Sequence, residues 1–158
     1  MAGRRNLAFA RLDEVMPDVE HLLLGHQTVG QWSLGQICNH LAVIIQGTMD
    51  GFPDQAPWLV RKTVGVLARW RVLGAGRIPE GFPIGAVYLP APGLDALHEA
   101  STLRAALARF QSFADPCAEH PLLGPMSFVQ WTRFHCLHCA HHLSFAVPLQ
   151  PKQDGSAH

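Results

Sequence analysis

Apolar residues recur three and four positions apart along four stretches of the chain, which is the spacing of one face of an α-helix. The stretches cover residues 7–24, a segment that begins at Ser33 and ends near Gly51, residues 94–113, and residues 127–148. The apolar positions that carry the first three patterns are Leu12, Val15, Met16, Val19, Leu22, Leu23, Leu34, Ile37, Leu41, Ile44, Leu103, Ala106, Leu107, Phe110 and Phe113. The pattern predicts four principal helices.

Two of these helices have a clear start signal. Ser33 is followed three residues later by Gln36, and Ser127 by Gln130, which is the S-x-x-Q form of a capping box. Pro17 interrupts the first helical pattern and predicts either a kink or a second helix start after a short first turn.

The connection between the second and third principal helices, residues 54–93, is long. Its part from Trp58 to Leu73 has helical character and a basic side made by Arg61, Lys62, Arg69 and Arg71. We interpret that side as a solvated face, with a membrane-surface helix as the weaker alternative. Residues 74–93 are rich in glycine and proline and predict an irregular segment, of the kind that often covers a site.

These elements predict an all-α fold, a four-helix bundle with a long crossover that carries an extra helical segment. We find neither an internal repeat nor a useful length of β alternation. The chain of 158 residues is long enough for one domain with a sizeable core, which we place at residues 1–148. Residues 149–158 are polar and predict a disordered tail.

Composition narrows the functional classes. The formal net charge is zero, from twelve basic and twelve acidic residues, so there is no electrostatic footprint for nucleic acid. No apolar run is long enough to span a bilayer. The first fifteen residues contain no apolar core of a signal peptide, and four cysteines do not suggest a disulfide framework. We therefore expect a cytoplasmic protein.

The segment 131–148 holds four of the ten histidines and is the centre of the functional hypothesis. His138 and His142 lie one helical turn apart, so their neutral imidazoles can bind the same ion. Two ligands do not make a closed site. We expect the third to be His40, because it lies in the other well-marked helix that carries a histidine.

Four nearby residues leave alternatives open. His135 is close in angle to His142 and could replace it or support it from outside the ligand set, whereas His141 points to the other edge of the helix. Glu119 and His120 precede the last helix and could reach the site, but His120 could equally cap the turn in which it lies.

Cys136 and Cys139 form a C-x-x-C motif in the middle of the last predicted helix. A redox C-x-x-C opens a helix, where the helix dipole lowers the thiol pKa. Because both cysteines lie away from a helix start and off the histidine face, we expect two inert buried side chains.

Three segments carry a family resemblance: WSLGQICNHLA (32–42), HPLLGPMS (120–127) and HCAHHLSFAVP (138–148). They resemble the DinB-like superfamily, and more narrowly its uncharacterised branch with a W-S-x-G-Q…H-L motif and a terminal H-x-x-H-H-L-S-F. The resemblance runs from Leu12 to Pro148, although residues 54–93 match no family motif. It implies an up-up-down-down four-helix bundle that binds nickel or zinc through His40, His138 and His142.

The resemblance also suggests a reaction type. Members of the superfamily include thiol-dependent transferases and isomerases that use low-molecular-weight thiols as cosubstrates, which implies thiol S-transfer, with metal-dependent hydrolysis as the competitor. No general base is evident. Two other classes stay open: a non-enzymatic module that binds a metal or small ligand, and a partner-docking protein that uses residues 58–73. The sequence also allows a homodimer.

Overall fold

The computed structural model describes residues 3–79, 81 and 85–149. Over these ranges the fold is all-α, as predicted. The helices are α1 (Val15–Leu23), α2 (Leu34–Asp50), α3 (Trp58–Lys62), α4 (Val64–Ala75), α5 (Ala96–Gln111) and α6 (Phe128–Leu143). Short 3-10 turns occur at Leu12–Glu14 and Ala86–Tyr88, and two strands, β1 (His26–Thr28) and β2 (Ala146–Pro148), form an antiparallel pair.

The four principal helices α1, α2, α5 and α6 pack around one apolar core. The closest partnership is between α2 and α5, and α1 contacts both α5 and α6. The bulkiest fully buried side chains come from all four helices and include Leu22, Ile37, Leu41, Ile45, Leu103, Phe110, Trp131 and Leu143. The apolar stripes seen in the sequence thus face one another, which is what stabilises a bundle.

Both predicted capping boxes are present. The Ser33 hydroxyl accepts a hydrogen bond from the Gln36 amide at 3.2 Å, and the Gln36 side chain accepts one from the Ser33 amide at 3.0 Å. Ser127 and Gln130 repeat the arrangement with the same two distances. Each box satisfies two backbone donors that a helix start would otherwise leave unpaired.

The first helix begins later than predicted. The chain is irregular up to Arg11, turns once as a 3-10 helix at Leu12–Glu14, and becomes α-helical only at Val15. Pro17 therefore lies in the first turn of α1, where its missing N–H has no helical partner to lose. Pro17 therefore marks a new helix start after a short first turn, which is one of the two predicted alternatives, and not a kink.

The last helix ends five residues before its predicted end at Pro148. It stops at Leu143, and residues 146–148 instead pair with β1, with Thr28 opposite Ala146. Arg5 holds the helix end, because its guanidinium donates to the Leu143 carbonyl at 3.0 Å. The two strands have three residues each, too short for an alternating pattern to show in the sequence.

The crossover differs from the prediction in one respect. The segment predicted as one helix from Trp58 to Leu73 is broken at Thr63, and its second half continues to Ala75. The break lets Gly65 lie directly against the Leu122 carbonyl, where a Cβ would not fit. The third principal helix, predicted at 94–113, spans Ala96–Gln111 and is capped by the Asp95 side chain, which accepts from the His98 amide.

Two remaining predictions concern the C-terminal tail and membrane-spanning helices. The tail predicted at 149–158 lies outside the described residues from position 150 onward. Within the ranges that are described, none of the helices has the length and apolarity needed to cross a bilayer.

Candidate metal centre

Helices α2 and α6 bring three histidines together. His40 lies in the middle of α2, and His138 and His142 lie one turn apart on α6. The Nε2 atom of His138 is 3.2 Å from Nε2 of His40 and 3.0 Å from Nε2 of His142. Candidate ligand atoms of the three residues all lie within 4.8 Å of one another. The structure therefore joins the three residues that the sequence analysis selected.

Neighbouring groups fix how these rings point. The carbonyl of Tyr88 lies 3.0 Å from Nδ1 of His40, so this nitrogen donates to it and the lone pair of Nε2 is left facing the other two rings. Trp32 stacks on His142 with ring centroids 5.3 Å apart and planes 10° apart. Phe134 stacks on His138 in the same way, at 5.3 Å. Two aromatic rings and one carbonyl thus hold the cluster in place.

Burial keeps the three imidazoles neutral. Loss of solvation lowers the pKa of His40 to about 4, although its hydrogen bond to Tyr88 acts in the opposite direction. Burial, followed by the neighbouring histidines, lowers the pKa of His142 to about 2 and that of His138 well below its usual value. At neutral pH each ring has a lone pair to offer, which is the protonation state that a metal ligand needs.

The spacing of the nitrogens fits a divalent ion. Two imidazole nitrogens, each about 2.0–2.1 Å from one ion, lie about 2.9–3.4 Å apart when the angle between them at the metal is roughly 90–109°. The observed separations of 3.0 and 3.2 Å fall in that range. The buried Nδ1 of His138 has no hydrogen-bond partner among the residues described. Three neutral nitrogen donors suit zinc or nickel better than calcium or magnesium, which prefer oxygen.

The cluster forms part of the wall of a cavity of about 1030 Å³. Its lining is largely apolar and aromatic, and it draws on the crossover as well as on α2 and α6. Lining residues include Trp32, Ile44, Phe52, Val72, Ile78, Tyr88, Leu122, Phe134 and Phe145. Polar groups are few, and they concentrate at the histidines, with Asp54, Gln31 and Gln55 elsewhere on the wall. A mostly apolar pocket with a small number of polar groups is typical of a small-molecule site.

His120 both caps its turn and lines this cavity. Its Nδ1 accepts hydrogen bonds from the amides of Leu122 and Leu123, each at 3.1 Å, so the proton of the neutral ring is on Nε2. Burial lowers its pKa to about 3. Glu119 pairs instead with Arg61 and is not among the described lining residues. Of the two residues, His120 alone reaches the cavity.

The other two histidines of α6, His135 and His141, lie in different surroundings. His135 is fully buried one turn before the cluster, and its Nε2 lies 3.2 Å from the Thr48 hydroxyl. That hydroxyl donates to the Ile44 carbonyl, so it accepts from His135. His135 is therefore a core residue and does not replace His142. His141 lines the cavity and interacts with Arg4, its Nδ1 being 3.1 Å from the guanidinium.

The cysteines behave as expected for inert residues. Cys136 and Cys139 are buried and free, and neither joins the histidine group. Burial raises the pKa of Cys136 to about 11 and raises that of Cys139 further above its usual value. Both thiols are therefore protonated at neutral pH, which makes them poor nucleophiles and poor ligands.

Three contributors to the site were missed from the sequence: Trp32, Phe134 and the Tyr88 carbonyl. Trp32 belongs to the W-S-x-G-Q segment, but the sequence analysis gave it no function. Its position just before the Ser33 cap is the signal that could have predicted its location beside α2. The carbonyl of Tyr88 had no signal, because a backbone group carries no residue identity and lies 48 residues from His40.

The fold and the site together define a small helical-bundle protein with three converging histidines on the wall of an apolar cavity. One comparison with known proteins identifies a family. The model of DUF1569, a family described as proteins of unknown function, matches residues 1–149, and the chain belongs to this family. No curated protein and no solved structure matches the chain.

Proposed function

We propose that this protein is a DinB-like metalloenzyme that binds nickel or zinc through His40, His138 and His142 and transfers a thiol. One observation carries the proposal: three neutral imidazoles converge on the wall of a cavity large enough for substrates, and the two Nε2–Nε2 separations that His138 makes, 3.2 and 3.0 Å, suit one ion. The shared family features of the W-S-x-G-Q…H-L and H-x-x-H-H-L-S-F segments support the DinB-like assignment.

Three histidine ligands would leave at least one coordination position of a bound ion free, as a catalytic rather than a structural site requires. A bound divalent ion would supply Lewis acidity and would hold a cosubstrate thiol as its thiolate. The chain's own residues do the rest. The Tyr88 carbonyl orients His40, Trp32 and Phe134 fix the other two rings, and the apolar wall excludes water.

Two features favour S-transfer over hydrolysis. The cavity of about 1030 Å³ is at the upper end of the volume that one small ligand fills, so it has room for a thiol and an acceptor together. Within the described residues no carboxylate joins the histidine group, whereas hydrolytic metal sites commonly place a carboxylate base beside the metal-bound water. His120, with its Nε2 proton, is a candidate hydrogen-bond donor to a substrate in the same cavity.

The first test is metal content. We expect wild type purified without chelator to contain about one nickel or zinc per chain by mass spectrometry, and His40→Ala to lose most of it, because two ligands bind far more weakly than three. His98→Ala is the matched control, since His98 is exposed on α5. Wild-type metal content in His40→Ala would exclude the proposed ligand set.

The second test separates an enzyme from a binding module. The metal is replaced by cobalt(II), and low-molecular-weight thiols are titrated while the visible spectrum is recorded. We expect a sulfur-to-cobalt charge-transfer band, because an open position admits a thiolate. A protein that holds one cobalt yet gives no such band with any thiol would contradict thiol transfer, and would be either a hydrolase or a module in which the metal only steadies the bundle.

A further inference from the structure

The outward side of α3 and α4 is apolar and exposed. It is formed by Trp58, Leu59, Val64, Leu67 and Trp70, which we call the outer face. Trp58 is 66%, Leu67 72% and Trp70 75% exposed. Val64, Leu67 and Trp70 follow one another at three-residue spacing, so they share one side of α4. The segment thus carries exposed apolar side chains in addition to the basic residues predicted as a solvated face, of which Lys62 and Arg71 are exposed.

The opposite side of α4 is already covered by protein. Val72 is 3% exposed and lines the large cavity, and Gly65 lies against the Leu122 backbone. The helix is thus apolar on both sides, a composition typical of a helix that is covered all round. Exposed apolar patches of this kind mark sites of association with another protein or with a membrane.

Charge decides between those partners. Lys62, Arg71 and Arg77 are exposed and have no ion pair within the described ranges. Arg71 lies four residues after Leu67, on the same side of α4. No acidic residue occurs from position 55 to position 79. The exposed charges that α3 and α4 themselves carry are therefore all positive, and the acidic Glu119 nearby is paired with Arg61.

A second copy of the chain would suit this face poorly. A symmetric dimer would bring the lysine and arginines of one copy toward the same residues of the other, with no acidic group on these helices to offset them. An anionic lipid surface fits better. Tryptophan side chains favour the membrane–water interface, leucine enters the acyl region, and arginine can extend its charged end back to the headgroups.

We propose that the outer face docks on the surface of a bilayer that contains anionic phospholipids. Helices α3 and α4, with five and twelve residues, are too short to span it, so they lie along the interface. The bound α4 would have lipid on one side and the cavity on the other. The proposal is independent of the metal assignment.

The test uses the full chain and two vesicle compositions, phosphatidylcholine alone and phosphatidylcholine mixed with phosphatidylserine. We expect sedimentation with the mixed vesicles, weaker binding at high salt, and a blue shift of tryptophan emission on binding. The shift should disappear in Trp58→Phe/Trp70→Phe, because Trp131 is fully buried and Trp32 is half-buried and stacked on His142.

Two variants divide the apolar and electrostatic parts. Lys62→Gln/Arg71→Gln should lower the partition coefficient roughly 25-fold, about fivefold per basic residue near an anionic surface. Leu67→Glu/Trp70→Glu should abolish binding. Leu97→Glu, which changes an exposed leucine on α5, is the matched control and should bind as wild type does.

Three results would overturn the proposal. The first is no binding of wild type to the mixed vesicles. The second is equal binding by Leu67→Glu/Trp70→Glu with unchanged circular dichroism. The third is a concentration-dependent dimer, seen by analytical ultracentrifugation without lipid and lost in the same double variant, which would assign the outer face to a second copy of the chain.

Discussion

Gly35 is the point of closest approach between α2 and the start of α5, and its replacement by alanine tests that packing. A Cβ built on Gly35 would stand 2.9 Å from the Leu94 carbonyl carbon and closer still to its oxygen. Real Cβ atoms essentially never come that near to backbone. The obstacle is main chain that leads directly into the Asp95 cap of α5, so no side-chain rotation can relieve it.

The expected cost follows from two opposing terms. Overpacking a tight contact costs about 1–3 kcal/mol, and a rigid backbone obstacle belongs in the upper half of that range. Alanine in place of glycine in a helix returns about 0.5–1 kcal/mol. The net loss is about 1–2.5 kcal/mol, or a fall in thermal midpoint of roughly 2–10 °C for a chain of this size.

Gly74→Ala is the matched control, because a Cβ at Gly74 in α4 would meet nothing within 4 Å. Only the helix-propensity term applies there, so this variant should be more stable by about 0.5–1 kcal/mol. Urea and thermal unfolding followed by circular dichroism measure both. If Gly35→Ala unfolds with wild type, or if the two variants shift in the same direction, the described approach of α2 and α5 is wrong.

Two further predictions concern buried side chains in α6 and in the segment just before it. The double variant Cys136→Ala/Cys139→Ala should keep its bound metal and lose about 1–2 kcal/mol of unfolding free energy through lost packing. In the wild type, the two thiols should react slowly with a thiol reagent at neutral pH. Loss of metal in the double variant would assign the metal site to the cysteines. Burial lowers the pKa of His120 and of His135 to about 3 each, against about 6.5 when unfolded, so the unfolded chain binds more protons between these values. Stability should be full above about pH 6.5 and fall by up to about 1.4 kcal/mol per pH unit per group as the pH drops toward 3. Urea midpoints at pH 7 and pH 5 measure this loss of stability. In His135→Gln, whose amide can still donate to Thr48, stability should fall less between the two pH values. An unchanged fall would contradict the lowered pKa of His135.

What the sequence determined by itself was local. The two S-x-x-Q boxes, the apolar stripes and the one-turn spacing of His138 and His142 all depend on residues within four positions of one another. Such interactions are set by helix geometry, so they could be predicted without knowing what the helix packs against. The choice of His40 also succeeded as a prediction of proximity: it lies on α2, which shares with α6 the S-x-x-Q start.

What only the tertiary structure decided involves partners far apart in the chain. The break at Thr63 accompanies the close contact of Gly65 with the Leu122 carbonyl, and α6 ends just before the residues that pair as β2 with β1. The orientation of His40 depends on a carbonyl 48 residues away, and His135 bonds Thr48 across the core rather than joining its neighbours on α6. These outcomes rest on which surfaces meet when the helices pack, and local spacing along the chain carries no information about that.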